Sequence, residues 1–260
     1  ITLEERSGNP PPRVCETASG MLNAIGLENK GVEDFIRNRW PKLRLVKTHV
    51  IASIAGADKN EFRELARRLS SCGGLAALEL NLSCPNIKYG TSEGLIAHNE
   101  KAVYETVSAV RRATKLTMIT KLSPNVTDIG VFAKAAEAGG SDAIALTNTF
   151  IGIAVDVDTG KPMLGNVTGG LSGPAIKPLS LRAVWEAGKV VDIPVIGIGC
   201  IMDYRDAVEF MLCGAAAIQV GTANFVNPGA PVEIISGIEE YLKKHRISGV
   251  SKLAGALKLG

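Results

Sequence analysis

Long apolar runs are missing from this 260-residue chain. No stretch of about 18 uninterrupted hydrophobic residues occurs, so no membrane-crossing helix is expected. An excess of one charge is also missing. Lys+Arg 29 against Asp+Glu 26 leaves +3, interspersed rather than blocked, without the basic stripe of a nucleic-acid reader. Histidine is scarce. His49, His98 and His245 are scattered with no H-x-x-x-H spacing, which predicts surface or structural histidines and no metal site. The five cysteines (Cys15, Cys72, Cys84, Cys200, Cys213) are odd in number, form no C-x-x-C pair and follow no secretory signal. A reduced, cytoplasmic setting is expected rather than a disulfide framework. What is present is core material: 46% hydrophobic against 21% charged residues excludes intrinsic disorder. The 28 glycines exceed the usual ~7% and predict many tight turns or close backbone approaches to a ligand.

From residue 48 onward the pattern repeats. Apolar runs at 48–54, 77–82, 117–122, 143–148, 194–199 and 217–221 alternate with amphipathic stretches such as 60–71, 100–113, 128–137 and 203–212. Nearly continuous apolar character marks parallel strands buried on both faces. In the helix opened by Asp58, the residues Phe62, Leu65, Ala66 and Leu69 share one face, opposite Arg63, Glu64, Arg67 and Arg68. The runs recur about every 34 residues, matching the repeat of a (β/α)8 barrel of about 250 residues. A Rossmann fold is the competitor, but no G-x-G-x-x-G follows any run. Polar residues gather instead at strand ends: Asn81, Lys121, Asn148 and Thr222. That is how barrels assemble sites.

An α/β (β/α)8 TIM barrel forming a single domain over residues 1–260 is therefore expected. Only six strands are found where eight are needed. Residues 1–47 offer a Pro-rich loop (Asn9-Pro10-Pro11-Pro12), a turn-rich stretch and one short helix near 31–39, with no convincing buried strand. The expectation is an N-terminally truncated barrel lacking its first two strands, with two open sheet edges.

Several residues carry chemistry. Cys84, in Asn81-Leu82-Ser83-Cys84-Pro85-Asn86, follows a strand end. A thiol there is a candidate general base when its pKa is lowered, or else a space-filling cysteine. Its flanking asparagines supply donors and acceptors for an amide-bearing ring. Lys121 is costly inside an apolar strand unless it faces an anion or an electron-rich ligand, or snorkels to solvent. Asn148 closes a strand, as an Asx-turn residue or a ligand contact. Gly199-Cys200 and Gly221-Thr222 follow two late strands, where barrels bind phosphate through backbone N–H groups. Gly170-Leu171-Ser172-Gly173-Pro174 forms a tight turn before a helix, with Pro174 suited to its first turn. Cys15, Cys72 and Cys213 read as packing residues.

In chain order, Gly8-Asn9-Pro10-Pro11-Pro12-Arg13-Val14, Asn23-Ala24-Ile25-Gly26-Leu27, the segment from Asn81 to Asn86, Lys121-Leu122-Ser123-Pro124-Asn125 and Gly169-Gly170-Leu171-Ser172-Gly173-Pro174-Ala175-Ile176-Lys177-Pro178 together resemble the catalytic subunit of class 1 dihydroorotate dehydrogenase, closest to its class 1B, NAD-linked branch. The resemblance spans essentially the whole chain. It implies an FMN-dependent oxidation of dihydroorotate to orotate in pyrimidine synthesis, with Cys84 as the base. It further implies substrate contacts from Asn23, Ala24, Ile25, Gly26, Leu27, Asn81, Asn86, Asn148 and Thr149. FMN contacts are implied for Ser53, Asn81, Lys121, Thr147, Ser172, Gly173, Gly199, Cys200, Gly221 and Thr222. A homodimer core would pair with an electron-transfer subunit carrying FAD and a [2Fe-2S] cluster, which these five cysteines are not spaced to hold. The chain departs from the family in carrying Ser53 for a common Asn, Thr147 for Ile and Cys200 for Gly. A lysine that the family carries just ahead of Ile1 is missing. The alternatives are a dihydropyrimidine dehydrogenase-like flavoenzyme, which shares Asn-x-x-Cys-Pro, a non-catalytic barrel remnant, and a flavin-free phosphate-binding barrel enzyme.

Overall fold

The computed structural model describes residues 1–82 and 96–259. Its strands are β1 (Val14–Thr17), β2 (Gly20–Asn23), β3 (Ile51–Ile54), β4 (Ala77–Asn81), β5 (Thr117–Lys121), β6 (Ala143–Leu146), β7 (Phe150–Ile153), β8 (Val155–Asp156), β9 (Lys161–Pro162), β10 (Thr168–Ser172), β11 (Val195–Ile198) and β12 (Ala215–Gln219). The helices are α1 (Gly31–Asp34), α2 (Trp40–Leu43), α3 (Lys59–Ser70), α4 (Glu100–Arg111), α5 (Ile129–Ala138), α6 (Lys177–Gly188), α7 (Tyr204–Leu212), α8 (Ala223–Val226) and α9 (Ala230–His245).

The six expected apolar runs form one parallel sheet in the order β12-β11-β6-β5-β4-β3. Barrel strands are neighbours in their order along the chain, whereas a doubly wound sheet reverses order at a switch point. The sheet is curled. The Gln219 side chain on β12 donates a 2.8 Å hydrogen bond to Glu79 on β4. Those strands lie four positions apart, which in a flat sheet is about 19 Å. The six units therefore make an arc of a barrel whose edges are β3 and β12. The β3 edge is partly covered: the Ile1 ammonium donates to the Ser53 carbonyl at 2.7 Å, and Ala55 N–H donates to the Ile1 carbonyl at 2.9 Å. On β12, Ala216 and Ala217 are exposed.

Helix starts are capped by polar side chains, as expected at Asp58. The Asp58 side chain accepts from the N–H groups of Asn60 and Glu61 at 2.7 and 3.0 Å. Asn99, Asp128 and Asp203 cap α4, α5 and α7 in the same way. Each cap satisfies N–H groups that have no intrahelical partner, a contribution of about 1 kcal/mol. Phe62, Leu65, Ala66 and Leu69 are fully buried on the predicted face of α3, with Leu78, Leu80, Met118 and Ile144 of the sheet in the same core. On the concave side a smaller cluster of Ala77, Ile119, Ala143 and Ala145 fills the lower barrel. Cys72 and Cys213 pack against the main core and Cys15 against a minor one, as their composition suggests.

The pattern in residues 1–47 shows no convincing buried strand, and the structure adds two short, mostly exposed or half-exposed ones: β1 and β2 form a hairpin with Val14 opposite Asn23. The helix near 31–39 is present and continues through a π turn (Phe35–Arg39) into α2. The hairpin belongs to a second, antiparallel sheet, β1-β2-β10-β7. Its strands escape a periodicity search because they are short and glycine-rich. They take their stability from pairing with one another and from Leu22, buried beside Leu164. This sheet sits on the C-terminal rim of the arc. Thr222 Oγ1 donates to Ser172 Oγ at 2.8 Å, and Asn125 Nδ2 donates to the Thr149 carbonyl at 3.1 Å.

Candidate active site

Between the rim and the antiparallel sheet lies a cleft of about 220 Å³, a little under the roughly 300–1,000 Å³ of drug-sized ligand sites. Both sheets build it. The antiparallel sheet brings Met21, Asn23 and Ser172, and the parallel strand ends bring Lys121, Thr147, Asn148, Thr149, Gly199, Cys200, Gly221 and Thr222. Ile176, Ile198 and Phe225 supply apolar wall.

The carboxamides are fixed by local geometry. Asn148 Nδ2 donates to Asn81 Oδ1 at 3.0 Å, and Asn148 Oδ1 accepts from Thr149 N–H at 2.9 Å. Asn23, at the end of β2, donates to the Gly170 carbonyl at 3.4 Å. The Thr149 loop is held from below by Asn125, which donates to the Thr149 carbonyl and accepts from Ile151 N–H at 3.0 Å. Glycine at 170 lets Thr149 sit close, because a Cβ there would meet Thr149 Oγ1 at 2.0 Å and push that side chain aside.

Beneath the cleft, alternation along β4 points Glu79 and Asn81 to one side. Glu79 is buried. It accepts from Ser53 Oγ at 3.2 Å and from Gln219, and it lies 3.9 Å from Lys121 Nζ. Glu79 and Gln219 were not singled out by motif, and Asn125 was named within a motif but given no role. The period-2 pattern Glu79-Leu80-Asn81 carries the signal for the first. A polar residue ending an otherwise apolar strand carries it for the second.

Thr147 is buried; its N–H donates to the Ile198 carbonyl at 2.6 Å, and its hydroxyl pairs with Ser180 Oγ at 3.0 Å. Cys200 adopts a left-handed φ of 62° and is buried. Such a φ is unfavourable for a residue with a Cβ. Burial, reinforced by the negative charge of Asp206 and other acidic residues nearby, pushes its thiol up to about 11, so it is an uncharged wall of the cleft near neutral pH.

Not every expected residue gathers here. Ser53 lies lower in the arc beside Glu79. The backbone leaves the cleft after Asn23: Ile25 lines a separate groove and Leu27 another, with Gly26 and Leu27 at positive φ. Ala24 is buried, and its N–H donates to the Arg13 carbonyl at 2.7 Å. Gly173, at φ 94°, turns the chain from β10 toward α6. Cys84 and Asn86 lie outside the described residues.

The donor set suits a planar ring edged by amides and bearing a phosphate. It has carboxamides and a cation at one end, hydroxyls and glycine-flanked backbone at the other, and apolar side chains between. FMN has those parts, and the residues present fit it. No helix among the described residues is long and apolar enough to cross a membrane.

Comparisons with known proteins agree with this arrangement. A family model described as dihydroorotate dehydrogenase matches residues 1–242. The sequence is 49% identical over 258 residues to the "Dihydroorotate dehydrogenase B (NAD(+)), catalytic subunit" of Bacteroides fragilis, covering 99% of this chain and 84% of that one. Proteins of the same description from Geobacter sp. (strain M21) and Trichlorobacter lovleyi are 50% and 51% identical, covering 100% and 99% of this chain and 84% of each relative. A crystal structure of the Eimeria tenella enzyme DHODH in complex with ferulenol superposes with a TM-score of 0.80 at 23% identity, covering 98% of this chain and 77% of that one. At that identity the likeness speaks to the fold alone.

Proposed function

The chain belongs to the dihydroorotate dehydrogenase family, and from that premise we infer that it oxidises dihydroorotate to orotate in pyrimidine biosynthesis, as the catalytic subunit of an NAD-linked enzyme. The observation that carries the reading is the convergence of Asn23, Asn148 and Lys121, drawn from two different sheets, on one cleft. The substrate is a ring edged by amide and imide groups. A site of paired carboxamides recognises such a ring and rejects analogues that would leave those amides unpaired.

FMN is the cofactor of this reading; Lys121, Thr147, Ser172, Gly199, Cys200, Gly221 and Thr222, which line the cleft, would hold it, with Asn81 joined to them through Asn148 and with Ser53 and Gly173 outside the lining. When bound, the flavin supplies the two-electron acceptor. Lys121 brings positive charge to that end of the cleft, favouring a site that holds negative charge. Asn23, Asn81, Asn86, Asn148 and Thr149 orient the substrate ring, while the expected 24–27 contacts lie away from the cleft. Cys84 would take the proton from C5 of dihydroorotate while the C6–H bond gives up its hydride to the two-electron acceptor, so that C5=C6 forms. The partner carries FAD and a [2Fe-2S] cluster around a homodimer of this chain, in the cytoplasm.

The test is anaerobic. Purified protein should be yellow, and dihydroorotate should bleach it. Cys84→Ala should keep the flavin and lose turnover by about 10²–10⁴-fold, the range of general-base catalysis. Wild-type turnover in Cys84→Ala, or a wild-type protein that binds no FMN, overturns the reading.

A further inference from the structure

A carboxylate buried at the floor of a ligand cleft is an expensive feature, because removing it from water costs several kcal/mol unless partners compensate. Glu79 is such a group. Its Oε1 accepts from Ser53 Oγ at 3.2 Å, and its Oε2 accepts from Gln219 Nε2 at 2.8 Å. Both oxygens accept, which a neutral glutamine with its single amide oxygen could not do in this geometry. The remaining neighbour brings the opposite charge. Lys121 Nζ lies 3.9 Å from Oε1, and among the described residues this is the one ion pair of Lys121. The lysine side chain is itself largely buried and reaches the cleft.

We propose that Glu79 is a positioning residue for the reaction: it anchors the Lys121 ammonium at the cleft floor and sets how much positive charge that lysine presents to the bound flavin. The inference rests on the reading of the cleft as a flavin site. Ser53 and Gln219 aim the carboxylate from opposite edges of the arc, β3 and β12, so its place depends on the curl of the sheet. An unopposed lysine would favour anions in the cleft and overstabilise a flavin bearing negative charge. The paired lysine is tempered. The fixed pair keeps the ammonium from swinging toward solvent, as long lysine stems otherwise do.

Reversible bleaching of the flavin by sulfite reads this directly, since an anion adds more readily to a flavin beside an uncompensated cation. In the FMN-loaded protein, Glu79→Gln should tighten the sulfite Kd about tenfold, reflecting one lost charge at short range in a partly desolvated site. In a Lys121→Met background the same substitution should move it less than twofold. Loosened packing alone would weaken the adduct, so the sign separates positioning from a structural role. An unchanged Kd, a weaker one, or an equal shift in both backgrounds overturns the proposal. If Glu79→Gln fails to retain FMN, Glu79→Asp carries the test. It withdraws the charge by one methylene and should tighten sulfite about threefold, and no tightening overturns the proposal. A wild-type protein without flavin sinks the functional reading itself, whereas a flavin-bound wild type with indifferent variants sinks only the role of Glu79.

Discussion

The two sheets of this protein meet at one cleft but are stabilised differently. The parallel arc buries both faces: Leu78, Leu80, Met118 and Ile144 press on the helices, while Ala77, Ile119 and Ala145 fill the concave side. The antiparallel sheet has only a minor core of Leu22, Ala24 and Leu164, and its strands carry glycines at 20, 152, 169 and 170. Burial makes the arc a stability element, and close backbone packing makes the antiparallel sheet a precision element. Substitutions in the arc should therefore cost folding free energy, whereas those in the antiparallel sheet should cost ligand affinity.

The largest expected effect tests the first half. Phe62 on α3 is fully buried, so Phe62→Ala should destabilise the fold by about 3–5 kcal/mol in urea unfolding. Flavin affinity of the molecules that remain folded should be unchanged. A loss of affinity without a loss of stability would erase the distinction. Gly170→Ala tests the other half. Its Cβ would run into Thr149 Oγ1 and Cβ, an overpacking cost of about 1–3 kcal/mol that Thr149 relieves by moving. Dihydroorotate binding, followed by flavin bleaching, should weaken about tenfold, with the melting temperature little changed. Equal loss in both measurements would make the antiparallel sheet a stability element too.

The smallest effect lies at the seam between the two. Cys200→Gly relieves a left-handed φ worth about 1–2 kcal/mol but gives back about 0.5–1 kcal/mol of backbone entropy, so stability at pH 7 should change by less than about 1 kcal/mol. The difference should grow with pH. The folded thiol titrates near 11, above the ~8.5 of an unfolded cysteine. Its contribution is therefore complete below about pH 8.5 and is lost as pH rises toward the folded value. The wild type should lose stability faster than Cys200→Gly between those limits. Parallel pH curves would place Cys200 in a wetter environment.

The legible part of the fold was the part that repeats. The runs at 77–82 and 117–122 became β4 and β5 almost residue for residue, because a strand buried on both faces writes its burial into consecutive side chains. Asp58 announced α3 because an N-cap is a local interaction. The hairpin of β1 and β2 left no such trace. Val14, Glu16 and Gly20 are half-exposed or exposed, and the strands exist because β10, about 150 residues away, pairs with β2. The site divides in the same way. Lys121 and Asn148 stood out as polar residues closing apolar strands, while Asn125, named only within the Lys121–Asn125 motif, gained a role when its side chain was seen to hold Thr149.

The order of residue types along the chain was enough to give the six strand–helix units, their single winding direction and the chemistry available at their C-terminal ends, since hydrophobic periodicity and capping act over a few residues. Tertiary structure alone decided that Asn23 faces the same cleft as Asn148, and that Glu79 reaches Gln219 across the arc. Those contacts depend on how far a sheet curls and which distant strand it pairs with. Both are set by the packing of the whole molecule rather than by any segment of it.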